Sequence, residues 1–347
     1  MTPVPKKDRS IKVFNLALQG GGSHGAFTWG VLDALLEAGN CRFDGISGTS
    51  AGAMNATVLA AGFAQAAELG LTDARQAHAR GCELARQALR TFWEAVGTLG
   101  VFLNASPPNM AAQWMPWLKP LMVPPLSPAQ TNPMDINPLR TLLRRLIDFE
   151  AILRHQGQGL VPQLFIGATN VRTGRSKVFE GEQVSLDALM ASACLPQLFN
   201  AVEIDGEHYW DGGYSGNPAI YPLIYHAKAD DVLLVQINPI ETNAVPRTMT
   251  EIQERINEVT FNASLLAELR AIEFVRRLLD EGRLEPGRYK AMRMHRIDGG
   301  ALLEPFGSDS KLRADIRFLQ DLFALGRTAA QQWLQQHYAD VGVRATL

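Results

Sequence analysis

KVFNLALQGGGSHG, residues 12–25, and FDGISGTSAG, residues 43–52, are the stretches on which the fold turns. In each, a short apolar run of strand length ends at glycine, and a helical pattern follows. The first strand covers residues 12–19. After it, Phe27, Val31, Leu35 and Ala38 recur three and four apart over residues 23–38, and Gly39 is placed to cap that helix. The second strand covers residues 43–47, and a small-residue helix runs from Ser50 to about Ala61. Strand, glycine turn, helix, strand, sharp turn, helix is the alternation of an α/β fold. It predicts a mostly parallel central sheet flanked by helices.

Working outward, residues 73–96 read as a long helix with Gly81 inside it. Residues 104–133 then carry eight prolines, which no regular element survives, yet the stretch also holds Trp114, Trp117 and several Met and Leu residues. A segment of this kind inside a compact domain often has a function. Residues 137–149 resume as an amphipathic helix bearing Arg140, Arg144 and Arg145, which serve either a solvated basic face or phosphate headgroups. Residues 164–169 and 176–180 read as strands joined around Gly174, and residues 185–194 as a short helix stopped by Pro196. Residues 202–204 and 208–210 form a hairpin across Asp205-Gly206, a strong turn pair. A buried strand at 232–237, a long helix at 250–284, a strand at 288–297 and a helix at 311–337 complete the chain. The expected organisation is one domain over 1–347. Its motif-bearing core spans about 12–237, with an insertion at 104–133 and a mainly helical extension at 248–347 packed on the core.

Composition narrows the function. The 347 residues are 46% hydrophobic and 20% charged, which excludes a disordered chain. The formal net charge of −2 gives no footprint for nucleic acid. Cys41, Cys82 and Cys194 are odd in number and far apart, so buried reduced thiols are expected rather than a disulfide framework. No Cys/His spacing suggests zinc, and neither metal nor cofactor is expected. No apolar run is long enough to span a membrane. The basic start followed by apolar residues is interrupted by Lys12 and Asn15 and lacks a small-x-small cleavage site, so it reads as a strand rather than a signal peptide. The expected location is the cytoplasm, with secretion by another route left open.

Three short motifs carry chemistry. Gly48-Thr49-Ser50-Ala51-Gly52 matches the G-x-S-x-G turn, in which flanking glycines allow a strained serine to expose its hydroxyl. A small-residue helix start without catalytic importance would have the same spelling. Gly20-Gly21-Gly22-Ser23-His24-Gly25 formally matches G-x-G-x-x-G. A dinucleotide site wants an acid at the end of the second strand, and Asp44 stands at the front of its strand instead. Three consecutive glycines suit amides converging on an oxyanion; a phosphate cradle and a plain tight turn are the alternatives. Of the seven histidines, none sits in a late loop after an acid, and His208 reads as a surface strand residue. Asp211-Gly212-Gly213 ends the hairpin and offers either a carboxylate base or a turn aspartate.

These motifs, with Asn217-Pro218 after the third and Ala191-Ser192-Ala193-Cys194-Leu195-Pro196 before it, resemble the patatin-like phospholipase family over roughly residues 12–237. The resemblance implies a three-layer patatin-like architecture and a serine hydrolase of carboxylic esters needing no cofactor. Ser50 would be the nucleophile, Asp211 its base, and the amides of Gly20, Gly21 and Gly22 the oxyanion hole. Gly48 and Gly52 would form the elbow. Candidate substrate-site residues are His24, Trp114, Trp117, Gly212 and Asn217. The family usually has Arg or Lys where this chain has His24, so a fixed charge is exchanged for a group that titrates near neutrality. His24 otherwise reads as a loop-packing residue. The implied activity is that of a lipid acyl hydrolase, phospholipase A or lysophospholipase in type. The rivals are an esterase, thioesterase or polyester (hydroxyalkanoate) depolymerase on the same pair, and a noncatalytic lipid-binding protein of the same fold. Residues 104–133 would admit acyl chains or meet a membrane or lipid surface peripherally, or else form a buried Ω-loop. A homo-oligomer is compatible with these features.

Overall fold

The structure, a computed structural model, describes residues 10–104, 128–132, 137–196, 198–242, 245–285 and 287–347. Trp114, Trp117 and most of the proline-rich segment lie outside the described residues. The strands are β1 (Lys12–Leu18), β2 (Cys41–Thr49), β3 (Gln163–Asn170), β4 (Ser176–Glu180), β5 (Val202–Ile204), β6 (Glu207–Asp211), β7 (Asp231–Gln236) and β8 (Arg293–Asp298). They form one sheet in the order β5-β6-β3-β2-β1-β7-β8, with β4 also pairing β3. The five strands β3-β2-β1-β7-β8 are parallel, whereas β4, β5 and β6 add antiparallel pairings. Helices flank this sheet: α1 (Gly25–Ala38), α2 (Ala51–Glu68), α3 (Ala74–Asn104), α4 (Pro138–Leu146), α5 (Phe149–His155), α6 (Leu186–Ser192), α7 (Met249–Asp280) and α8 (Ile316–Gln336).

Both faces of the sheet are buried, which is why its central strands are apolar without alternation. Leu16 and Leu18 of β1, with Leu233 and Val235 of β7, pack into a cluster with residues of α1, α2, α3 and α8. Ala17, Val232 and Leu234 face the other way, onto Leu265 and Ile272 of α7. Each fully buried Leu or Phe contributes about 1.5–3 kcal/mol relative to exposure. Between sheet and α8, every residue of α1 from Gly25 to Leu36 is buried. The one acid of that buried stretch, Asp33, is tolerated there because Arg86 donates to it at 2.8 Å and Arg327 pairs with it as well.

Several elements differ in extent from their sequence readings. The helix expected over 137–149 ends at Leu146, because Ile147 is extended and Asp148 starts α5 by accepting the Ala151 amide at 2.9 Å. The helix expected from Lys311 begins at Ile316, after the Asp315 cap; Ser308–Leu312 is a 3-10 turn instead. The strand expected from residue 288 begins at Arg293. Asp44 lies within β2, which begins earlier, at Cys41, and its carboxylate accepts the amides of Lys228 and Ala229, a structural role. All three cysteines are free and buried. Among the described residues, no helix is long and apolar enough to cross a membrane.

The α1–α8 contact is backbone to backbone. A Cβ on Gly326 would lie 2.0 Å from the Phe27 carbonyl oxygen, and one on Gly30 would lie 2.0 Å from that of Phe323. Gly326→Ala should therefore destabilise by about 1–3 kcal/mol through overpacking. A lowered chemical-denaturation midpoint is the expected reading; an unchanged midpoint would contradict the close approach.

Candidate active site

β2 ends in a sharp turn at Ser50, whose φ of 54° and ψ of −123° put a non-glycine residue in the left-handed region. Such strain persists only where surroundings impose it. A Cβ on Gly52 would lie 2.2 Å from the Leu18 carbonyl oxygen, and one on Gly48 would lie 2.8 Å from the Gly52 backbone. Both flanking positions are therefore closed to any side chain. The Ser50 amide donates to Ser192 Oγ at 2.9 Å, and Ser192 Oγ donates to the Gly167 carbonyl at 2.6 Å. Ser192, the last residue of α6, thus ties the turn to β3.

β3 sets the partner of Ser50. Thr49 lies opposite Gly167 on β3, and the next β3 residue, Ala168, lies opposite Asp211. β4 occupies the other edge of this part of β3, so β6 takes over the same edge as β2 turns away. The end of β6 is delivered beside the elbow. Thr169 Oγ1 donates to the Asp211 carbonyl at 2.8 Å and Thr49 Oγ1 to that of Gly216 at 2.7 Å, locking the junction. A Cβ on Gly212 would lie 2.4 Å from the Gly167 carbonyl oxygen, so only glycine lets β6 close on β3 here.

The Asp211 carboxyl is 1% exposed. It accepts the Gly213 amide at 2.7 Å. Burial pushes it up to about 6, while hydrogen bonds from Gly213 and the Ser50 side chain hold it from rising further. The chain thus places a hydroxyl on a strained turn next to a dry carboxyl poised near neutrality.

The glycine loop packs against this pair. A Cβ on Gly20 would lie 2.7 Å from Ser50 Cβ. The Gly20 amide is already engaged, donating to Asn217 Oδ1 at 2.7 Å, and the Gly20 carbonyl accepts Asn238 Nδ2 at 2.7 Å. Gln19 accepts the Ile237 and Asn238 amides at 2.8 and 2.9 Å and donates to Asn262 of α7 at 3.0 Å. A buried amide network therefore fixes the loop, and among the described residues the Gly21 and Gly22 amides have no acceptor. Gly22 has a φ of 58°. Of the three glycines expected to bind an oxyanion, Gly21 and Gly22 have unengaged amides, whereas the Gly20 amide is taken by Asn217.

His24 lies behind the loop, 3% exposed. Its Nε2 meets Ser310 Oγ at 2.6 Å; because that hydroxyl donates to the Gly307 carbonyl, Nε2 is the donor. Burial, with the nearby Lys311 charge, pushes His24 down to about 4, so it does not titrate near neutrality as its sequence position suggested. His208 is exposed on β6 beside Glu203, away from the pair. Arg140 pairs with Asp187, and Arg144 and Arg145 are exposed. A cavity of about 800 Å³ is lined by Arg247, Glu251, Arg255, Glu258 and Glu304 among others; neither Ser50 nor Asp211 lines it. Sequence reasoning gave no role to Gln19, Ser192, Asn238, Asn262 or Lys311. Gln19 and Asn238 had a weak signal, as polar residues at the ends of apolar strands.

The raised Asp211 carboxyl has a consequence for stability. Its folded value of about 6 exceeds the ~3.9 of an unfolded aspartate. Its contribution is thus fully present below pH ~4 and is lost as pH rises through about 6. Asp211→Asn keeps a neutral side chain of the same shape. The variant should match or exceed wild type in denaturation midpoint at pH 8, with any advantage shrinking toward pH 4. A variant much less stable at pH 8 would contradict the buried charge.

The sequence model of the patatin-like phospholipase family matches residues 16–224, over half of the chain. No curated protein sequence matches. Among solved structures, VipD from Legionella pneumophila aligns over 93% of this chain and 72% of its own at 16% identity, with a TM-score of 0.34. On the extent of the family match, the chain belongs to the patatin-like phospholipase family.

Proposed function

We propose that the protein is a lipid acyl hydrolase that cleaves carboxylic esters through a Ser50 acyl-enzyme, with Asp211 as general base and the Gly21 and Gly22 amides as oxyanion donors. The observation that carries this reading is the strained Ser50 beside a buried carboxyl that titrates at about 6. Family membership favours lipid esters as the substrate class.

The steps follow from the side chains. The Asp211 carboxylate takes the Ser50 proton as Oγ attacks the ester carbonyl. The tetrahedral oxyanion then accepts hydrogen bonds from Gly21 and Gly22. As the intermediate collapses, the ester C–O bond breaks and the departing alcohol takes the proton from Asp211. The carboxylate next removes a proton from water, which attacks the acyl-enzyme. Collapse returns that proton to Ser50 and frees the fatty acid. An unperturbed aspartate, at ~3.9, is a weak base; burial brings Asp211 closer to the task. His24 takes no part, being neutral and turned toward Ser310.

The test is kinetic, with a panel of diacyl phospholipid, lysophospholipid, p-nitrophenyl ester, acyl thioester and hydroxyalkanoate oligomer. Ser50→Ala and Asp211→Asn should each lower kcat by about 10³-fold or more on the preferred substrate, with folding intact. For wild type, kcat/KM should rise with pH around a midpoint near 6, as Asp211 ionises. Full activity in Asp211→Asn would remove it as the base. A preference for the thioester or the oligomer over both phospholipids would reassign the substrate class.

A further inference from the structure

We propose that Lys311, from the C-terminal part of the chain, is a positioning residue that polarises the oxyanion donor at Gly21 through Asn238. The inference rests on the hydrolase reading above and adds a residue to it. Lys311 Nζ donates to Asn238 Oδ1 at 2.9 Å, and Asn238 Nδ2 donates to the Gly20 carbonyl at 2.7 Å. The Gly20 carbonyl and the Gly21 amide belong to one peptide group. Density drawn toward that carbonyl makes the Gly21 N–H a stronger donor. An ammonium at the head of a hydrogen-bond chain therefore acts on the far end of it, and a dry setting strengthens each link. Asn238 is fully buried, which provides that setting at its link to Gly20, while the link to Lys311 is part-buried.

The chain of bonds also has a direction. Asn238 presents one oxygen and one NH₂ group. With Oδ1 toward the ammonium, Nδ2 faces the Gly20 carbonyl and Gln19 Oε1, the latter at 3.3 Å. The reverse orientation would set oxygen against oxygen at Gly20. Lys311 thus selects the useful orientation. It is held in place by packing: a Cβ on Gly22 would lie 2.2 Å from the Lys311 carbonyl oxygen, so the Ser308–Leu312 turn is flush with the loop. The neighbouring Ser310–His24 bond also ties the same turn to the loop. The benefit falls in the transition state, where negative charge develops opposite Gly21, and so appears in kcat rather than in KM.

The experiment uses the full chain, a soluble p-nitrophenyl butyrate assay and a fluorophosphonate whose adduct is located by mass spectrometry. In Lys311→Met, kcat and the rate of Ser50 labelling should fall about tenfold, less than the ~10²–10³-fold of losing a donor outright. KM should stay within about twofold of wild type. Lys311→Arg should restore most of the rate, and Lys311→Gln, a neutral donor to Asn238, should fall between. Lys311→Met on an Asn238→Ala background should add little to Asn238→Ala alone, because both break one chain. Wild-type rates in Lys311→Met, a change in KM alone, or additive losses would overturn the inference and leave the hydrolase reading standing. If Lys311→Met is unfolded by thermal melting, the Gln and Arg variants decide, and equal rates for these two would overturn the role of charge. Wild type that takes no label at Ser50 would overturn both.

Discussion

The pairing of β3 is the constraint from which the site follows. One edge of this strand is shared: β2 occupies it as far as Gly167, and β6 takes it from Ala168 onward. A strand ending in a hydroxyl and a strand ending in a carboxyl are therefore laid end to end along a common template. Residues 50 and 211, far apart in the chain, meet because Thr49 and Asp211 pair with two consecutive residues of a third strand. Glycines make the junction physically attainable, since Gly48, Gly52 and Gly212 each fill a place where backbone occupies the room of a Cβ. The strained turn at Ser50 is sustained by these contacts and by the Ser192 bridge.

Electrostatics then gives that junction its chemistry. Desolvation is the largest influence on Asp211, and it acts against the charged form. The Gly213 amide and the Ser50 hydroxyl partly oppose it, leaving a carboxyl that ionises near neutrality. Beside it, Asn217 and Asn238 engage both polar groups of Gly20, and Gln19 accepts the Asn238 amide. That network spends no side chain on the Gly21 and Gly22 amides, which is the condition for an oxyanion site. Asn262 and Lys311 join the network from elements outside the family match, so the later part of the chain contributes to the loop as well as to the fold.

Much of this was legible in the sequence because its causes are local. Strand-ending glycines, the G-x-S-x-G spelling and the Asp205-Gly206 turn each encode backbone geometry within a few residues. The alternation they mark was enough for the α/β class. What was illegible has non-local causes. Nothing near Gly20 reveals that its amide belongs to Asn217, nearly two hundred residues away. His24 reads as a neutral-range titrating group until burial and Lys311 are known. The break between α4 and α5 was missed because amphipathic periodicity runs through Asp148, whose capping preference competes with it. Lys311 read as the start of a helix because periodicity ignored the Asp315 cap four residues later.

The central claim is that Ser50 is activated by the Asp211 carboxylate, and a pH series of fluorophosphonate labelling in wild type and Asp211→Asn tests it most directly. The expected result is a single adduct on Ser50 whose rate of formation rises around pH 6 in wild type. In Asp211→Asn the rate should be slow and flat with pH. An adduct on another residue, or an Asp211→Asn rate that rises with pH as in wild type, would contradict it.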